Sequence, residues 1–281
     1  MDVKRLYDIP SWKWPVQAGA MIYAAISDRG TPRSERLLAL ELAGDPAVIN
    51  DRMAGALIAI LRDAVEDAEV REQAVMSLGP GLEIAYLDDL DLVDDLPGEM
   101  ADVERFSGIS TSLLVWIQED LSRLYRDAAM PEPVRHRILE TSVRAPWDWH
   151  INAVNAAYHS SDKEWRLTAV FCMGYLAGFE AQLAEALHNP DPDIALEAVS
   201  AAVNHGMADA LPRFGEILSA PPPDKETLLR AIDLVPEIWP EEADELLGYL
   251  VNAPDREIAA AALNALVLAE TMLELADDDE E

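Results

Sequence analysis

Few side chains in this sequence are spaced for chemistry. Cys172 lies in Ala-Val-Phe-Cys-Met, a mid-helix apolar setting. A thiolate there would be desolvated, so the residue reads as inert. His136, His150, His159, His188 and His205 show neither His-x-x-x-His nor His-Glu-x-x-His spacing, which leaves no histidine metal site. No nucleophile elbow or phosphate loop is present. Asp88, Asp89, Asp91, Asp94 and Asp95 could offer oxygens to calcium, but the alternation of a calcium loop and its central glycine are missing. No catalytic residue, metal site or cofactor emerges. The acidic stretch 88–104 reads as a solvated excursion.

Charge and tryptophan placement give the better functional lead. The chain has 21 Lys and Arg against 53 Asp and Glu, a net charge of −32. Residues 105–166 hold eight of each sign and are neutral, while 167–281 hold four basic and 24 acidic residues. The neutral stretch contains Trp116, Trp147, Trp149 and Trp165. Interfaces favour aromatics and Arg and deplete Asp and Glu. Trp147, Ile151, Val154 and Tyr158 follow one helical stripe, which predicts that Trp147 faces the core. Trp149 lies about 200° around from Trp147 and leaves that stripe. Ala153 and Ala156 would open a shallow groove beside it, with His150 and Arg144 nearby. These five residues, Trp149, His150, Arg144, Ala153 and Ala156, form the candidate partner-binding surface. Trp116 and Trp165 read as core.

The elements that must position them are helices. Sustained period-2 alternation is absent, Ala and Leu dominate, and apolar residues recur at helical spacing, as at Val70, Ala74, Val75 and Leu78. Five segments align without gaps, beginning at Pro131, Asp162, Asp191, Asp224 and Asp255, with starts 31, 29, 33 and 31 residues apart. An earlier copy begins at Asp67, two periods before Pro131, and a weaker one at Thr31. Each unit reads as an acidic cap, an amphipathic helix, a short turn and a second helix. Gly79, Gly174 and Gly206 mark where first helices stop. One such pair cannot bury its apolar face alone, so neighbours must stack. The expected fold is all-α, an α-α superhelix: one elongated right-handed solenoid over residues 31–270. Residues 1–30 would cap it, with Trp12 and Trp14 packed on the first repeat. A long helix is expected from Ser110 to Arg126, and residues 271–281 form an acidic tail.

Asp67-Ala-Glu-Val-Arg-Glu-Gln-Ala-Val-Met-Ser-Leu-Gly79 resembles a bacterial HEAT repeat of the phycobilisome-lyase type, and Asp162-Lys-Glu-Trp-Arg-Leu-Thr-Ala-Val-Phe-Cys-Met-Gly174 matches the same pattern. More closely, the chain resembles a group of bacterial HEAT-repeat proteins with no established activity. The resemblance implies a structural ladder between neighbouring units from Asp67, Arg71, Asp162 and Arg166. Asp191, Asp224 and Asp255 lack the matching Arg. The tetratricopeptide and ankyrin signatures are missing.

These features weigh the function classes. A net charge of −32 opposes binding to nucleic acid or to an anionic membrane surface. That ranks a nucleic-acid enzyme on a HEAT-like scaffold, such as an alkylpurine glycosylase, last. The longest uncharged apolar run, Leu167 to Phe179, is too short to span a bilayer. One cysteine fits a reducing compartment, so the expected location is cytoplasmic. The leading expectation is a non-enzymatic protein-interaction scaffold that uses the concave face, lined by second helices, for a basic or neutral protein partner. The alternative, implied by repeat type alone, is a bilin-lyase-like enzyme or its chaperone-like subunit.

Overall fold

The structure is a computed structural model, and it describes residues 3–89, 108–219 and 225–278. Every regular element among them is helical, with no strand. The contacts divide the chain into two compact units, Met1–Ala153 and Val154–Glu281, where the repeat alignment marks no boundary. Most of the acidic excursion, residues 90–107, lies outside the described residues.

Unit 1 contains α1 (Val3–Tyr7), α2 (Ala18–Ser27), α3 (Arg33–Ala43), α4 (Asp51–Arg62), α5 (Ala68–Met76), α6 (Gly79–Asp89), α7 (Thr111–Arg126) and α8 (Glu132–Ser142). Helix α9 (Asp148–Tyr158) carries the boundary between the units. Unit 2 contains α10 (Lys163–Met173), α11 (Glu180–Leu187), α12 (Pro192–Asn204), α13 (Ala210–Ser219), α14 (Lys225–Ile238), α15 (Ala243–Leu247) and α16 (Arg256–Asp278). The aligned sequence segments each begin one of the leading helices α3, α5, α8, α10, α12, α14 and α16. Within unit 1, α3 touches α5 and α5 touches α8. Within unit 2, α10 touches α12, α12 touches α14 and α14 touches α16.

The recurrent polar residues serve helix ends. The Asp67 carboxylate accepts from the Glu69 amide at 3.0 Å, Asp162 from Glu164 at 2.8 Å, Asp191 from Asp193 at 3.1 Å and Asp255 from Glu257 at 2.9 Å. Each satisfies an amide that has no partner inside its helix. Basic residues at the first position of a leading helix then reach the cap of the next. Arg33 pairs with Asp67 (3.2 Å) and with Glu69. Lys163 pairs with Asp191 (3.0 Å) and Asp193 (2.6 Å), and Lys225 with Asp255 (2.8 Å) and Glu257 (2.6 Å).

A second arginine series closes the opposite ends. Arg36 Nε donates to the Ile26 carbonyl (2.9 Å), Arg71 Nε to Leu61 (2.9 Å) and Arg135 Nε to Tyr125 (2.8 Å), each ten residues back. The acceptors are among the last carbonyls of α2, α4 and α7, where a cation also complements the helix dipole. The hydrogen-bonding partners of Arg71 are therefore Leu61 and the Met130 sulfur (2.8 Å), while those of Asp67 are Arg33 and its own helix. Arg166 occupies the same motif position as Arg71, yet its Nε is buried with no acceptor among the described residues.

Some tryptophans depart from the expected positions. Trp14 is half-buried, and its indole N–H donates to Leu6 (2.9 Å) and Ile9 (3.0 Å) carbonyls. Trp12, on a single 3₁₀ turn, is 81% exposed. Trp116 is 39% exposed rather than core, with the Arg62 guanidinium over its ring at 4.6 Å. Trp165 is buried. The long helix after the excursion appears as α7, capped by Ser110, with Ile117, Leu121 and Leu124 buried.

Arg36 and its partner Glu66 (2.7 Å) are both buried side chains, and the Arg36 hydrogen bond holds the Glu66 carboxyl below the usual range against the opposing cost of burial. Removing Arg36 orphans the Ile26 carbonyl and leaves the Glu66 carboxylate with the exposed Arg29 alone (3.3 Å), so Arg36→Ala should destabilise unit 1 by about 2 kcal/mol. Lys225→Ala on the exposed ladder should cost under about 1 kcal/mol. Urea unfolding of the two variants beside the wild type checks the difference.

Candidate functional site

The surface read from sequence gathers around the start of α9, but with a different phase. Helix α9 begins at Asp148, so Trp147 precedes it and cannot set its face. The buried residues of the helix are His150, Ala153, Val154 and Ala157, while Ile151 is 47% exposed. His150 turns inward because its ring closes a polar network. Nδ1 accepts from the Trp147 amide at 2.8 Å, which leaves Nε2 to donate to the Ser142 hydroxyl at 2.9 Å. The buried Gln118 amide ties α7 to the same turn, donating to the Ser142 (2.8 Å) and Ala145 (3.0 Å) carbonyls. Burial pulls the His150 pKa down to about 4.

Trp149 is half-buried against α7. Its ring lies 5.4 Å from Tyr125 and 3.9 Å from the His150 ring, and the Arg126 guanidinium stands 5.9 Å above it. Its indole N–H is buried without an acceptor among the described residues, a cost of about 1–3 kcal/mol. An open hollow of about 470 Å³ borders Trp149, Trp147, Pro146 and Arg126. Arg144 pairs with Glu83 at 2.7 Å, Ala153 is buried and Ala156 is exposed. Of the five residues read from sequence, Trp149 borders the hollow. His150 and Ala153 support it from inside, Arg144 is engaged with α6, and Ala156 lies beyond the unit boundary. No three His, Cys, Asp or Glu side chains gather as a metal would require among the described residues. No helix there is long and apolar enough to cross a membrane.

A larger groove, about 510 Å³, lies wholly within unit 2. Leading helices line it, not the second helices favoured from sequence. Its apolar wall is Phe171 and Tyr175 from the end of α10, with ring centroids 5.4 Å apart, together with Leu196 of α12 and Leu234 and Ile238 of α14. Gly174 allows α10 to end this close to α12, since a Cβ there would lie 3.2 Å from the Ala201 Cα. The His205 ring nitrogen Nε2, 2.8 Å from the Met173 carbonyl, braces the same helix end. Gly206 turns the chain out of α12 at φ +63°, a conformation that favours glycine.

The rim is acidic. Glu197, Ser200 and Asn204 share one face of α12 at spacings of three and four, and Arg230, Asp233, Leu234 and Glu237 do so on α14. Arg230 is taken up by Asp193 (3.2 Å) and lies near Glu197 (3.7 Å). Asp233 and Glu237 are exposed, one turn apart, and neither forms an ion pair among the described residues. Sequence reasoning missed this site because it looked for aromatic and Arg enrichment. The legible signal was the polar spacing 230, 233 and 237 on the otherwise apolar run 228–238 of α14.

No family model and no curated protein matches the chain. Among solved structures, a crystal structure of an engineered protein from the Northeast Structural Genomics Consortium is similar over 78% of this chain and 96% of its own, at 17% identity and a TM-score of 0.36.

The His150 ring gives a pH dependence with a fixed sign. Its folded pKa, about 4, lies below the unfolded value of 6.5. The neutral ring therefore contributes stability fully above about pH 6.5, and this is lost as pH falls toward 4, for a total of about 3 kcal/mol. The wild type should lose more stability than His150→Gln across that window, measured by urea unfolding of both at each pH. Parallel curves would contradict the buried neutral ring.

Proposed function

We propose that the chain is a non-enzymatic protein-interaction module of HEAT-like helical repeats, and that the unit 2 groove binds a basic amphipathic segment of a protein partner. The observation that carries this reading is the groove itself, an aromatic and aliphatic wall under two exposed carboxylates, Asp233 and Glu237, that form no ion pair among the described residues. A segment with apolar residues on one face and Lys or Arg beside them would supply what both parts lack. Residues 154–281 carry six basic and 26 acidic residues, so a basic partner would also be attracted at long range. The repeat reading is supported by the aligned segments, each of which starts a leading helix, and by the recurrence of the capping and ladder contacts. The groove and the aligned segments give no support to a bilin-lyase reading, since nothing there distinguishes a tetrapyrrole pocket.

Titration calorimetry of the full chain with an amphipathic Lys/Leu helical peptide tests the proposal. Affinity should fall about tenfold in Asp233→Lys/Glu237→Lys, equal to about 1.4 kcal/mol. It should stay near wild type in Asp244→Lys/Glu245→Lys, which makes the same change of net charge on exposed α15 positions. Binding should weaken with added salt. Equal losses in the two charge-reversed proteins would reduce the binding to bulk electrostatics and remove the groove from the account.

A further inference from the structure

Two apolar patches remain outside the groove and the Trp149 hollow. The first lies in the N-terminal stretch of unit 1, where Tyr7 is 57% exposed, Trp12 81% and Val16 100%. Residues 3–16 carry Lys4, Arg5 and Lys13 against Asp8, a local charge of +2 in a chain of −32. The Trp14 indole folds this stretch back by its bonds to the Leu6 and Ile9 carbonyls. That holds Trp14 partly inside, with its neighbours Trp12 and Val16 on the surface.

The second patch lies on α16 in unit 2. Ala262, Ala265 and Ala269 face inward, while Leu263 is 48% exposed, Val267 62%, Leu268 46% and Met272 38%. After Arg256 the helix has no basic residue. Leu263, Val267, Glu270 and Glu274 share one exposed face of the helix, while Leu268 and Met272 lie about 100° or more around from Val267.

Surfaces of this kind mark sites of association, and their charges select the pairing. Joining α16 to its own copy would bring Glu270 and Glu274 toward the same residues of the other chain, and joining two N-terminal stretches would oppose lysines. Joining one kind of patch to the other sets unlike charges together and covers both apolar faces. We infer that the N-terminal stretch of one copy docks on α16 of a second copy, head to tail. Tyr7, Trp12 and Val16 meet Leu263 and Val267, and Lys4 and Lys13 approach Glu270 and Glu274 on the same face of α16. In such a heterologous contact the patch a chain gives differs from the patch it receives, so two variants that each keep a different patch can still pair. The groove takes no part in it, and the inference stands apart from the peptide-binding proposal.

Sedimentation equilibrium of the full chain over a range of concentrations tests this. The wild type should rise in mass with concentration above the monomer. Trp12→Ser/Val16→Glu and Leu263→Glu/Val267→Glu alter only exposed positions, and each alone should remain monomeric with unchanged circular dichroism. An equimolar mixture of the two should form a dimer and stop there, because each supplies the patch the other lacks. A wild type that stays monomeric, variants that associate as it does, or a mixture that fails to pair would each overturn the inference.

Discussion

A helix end buried beside another helix must have its free amides and carbonyls satisfied, and the order of this structure follows from how that is done. Short helices have many ends per residue. Helices α3, α5, α8, α10 and α12 all run only 9–13 residues, so roughly half of their peptide groups lie in a first or last turn. Asp67, Asp162, Asp191 and Asp255 answer the amides, and Arg36, Arg71 and Arg135 answer carbonyls of the preceding helix. Apolar burial supplies the driving force, but these contacts determine which helix ends can lie next to one another.

The same economy explains where free charge is left. In unit 1 the buried Asp120 binds Arg62 (2.7 Å) and Arg123 (2.5 Å), and these hydrogen bonds outweigh a burial cost that would otherwise raise its pKa. In unit 2 Lys163, Lys225 and Arg230 are all occupied by the acids of neighbouring helices. With bases so few, Asp233 and Glu237 stay uncompensated beside an aromatic wall. A cationic ligand would give them partners, which is why the groove, rather than the neutral Trp149 region, carries the functional proposal.

Much of this was legible in the residues. Asp67, Asp162, Asp191 and Asp255 announce helix starts because a short acceptor side chain at that position has one common use. The α7 boundaries followed from Ser110 and the apolar spacing after it. The phase of α9 was not legible, since it is set by His150 bonding to Ser142 eight residues back and by Trp147 lying just outside the helix. Trp116 was misplaced for a related reason: its apolar neighbours imply burial, and only the fold shows Arg62 arriving from α4 to cover it. The groove needed three helices whose contact no local pattern encodes. Arg71 showed its spacing from Asp67 in sequence, but its hydrogen-bonding partners belong to α4 and to Met130.

Amide hydrogen exchange of the full chain, with and without the Lys/Leu peptide, tests the central claim most directly. Occupation of the groove predicts added protection over 169–176, 194–205 and 229–239, with α2 to α5 unchanged. Protection spread evenly over the acidic surface, or centred on α7 and α9 instead, would contradict it.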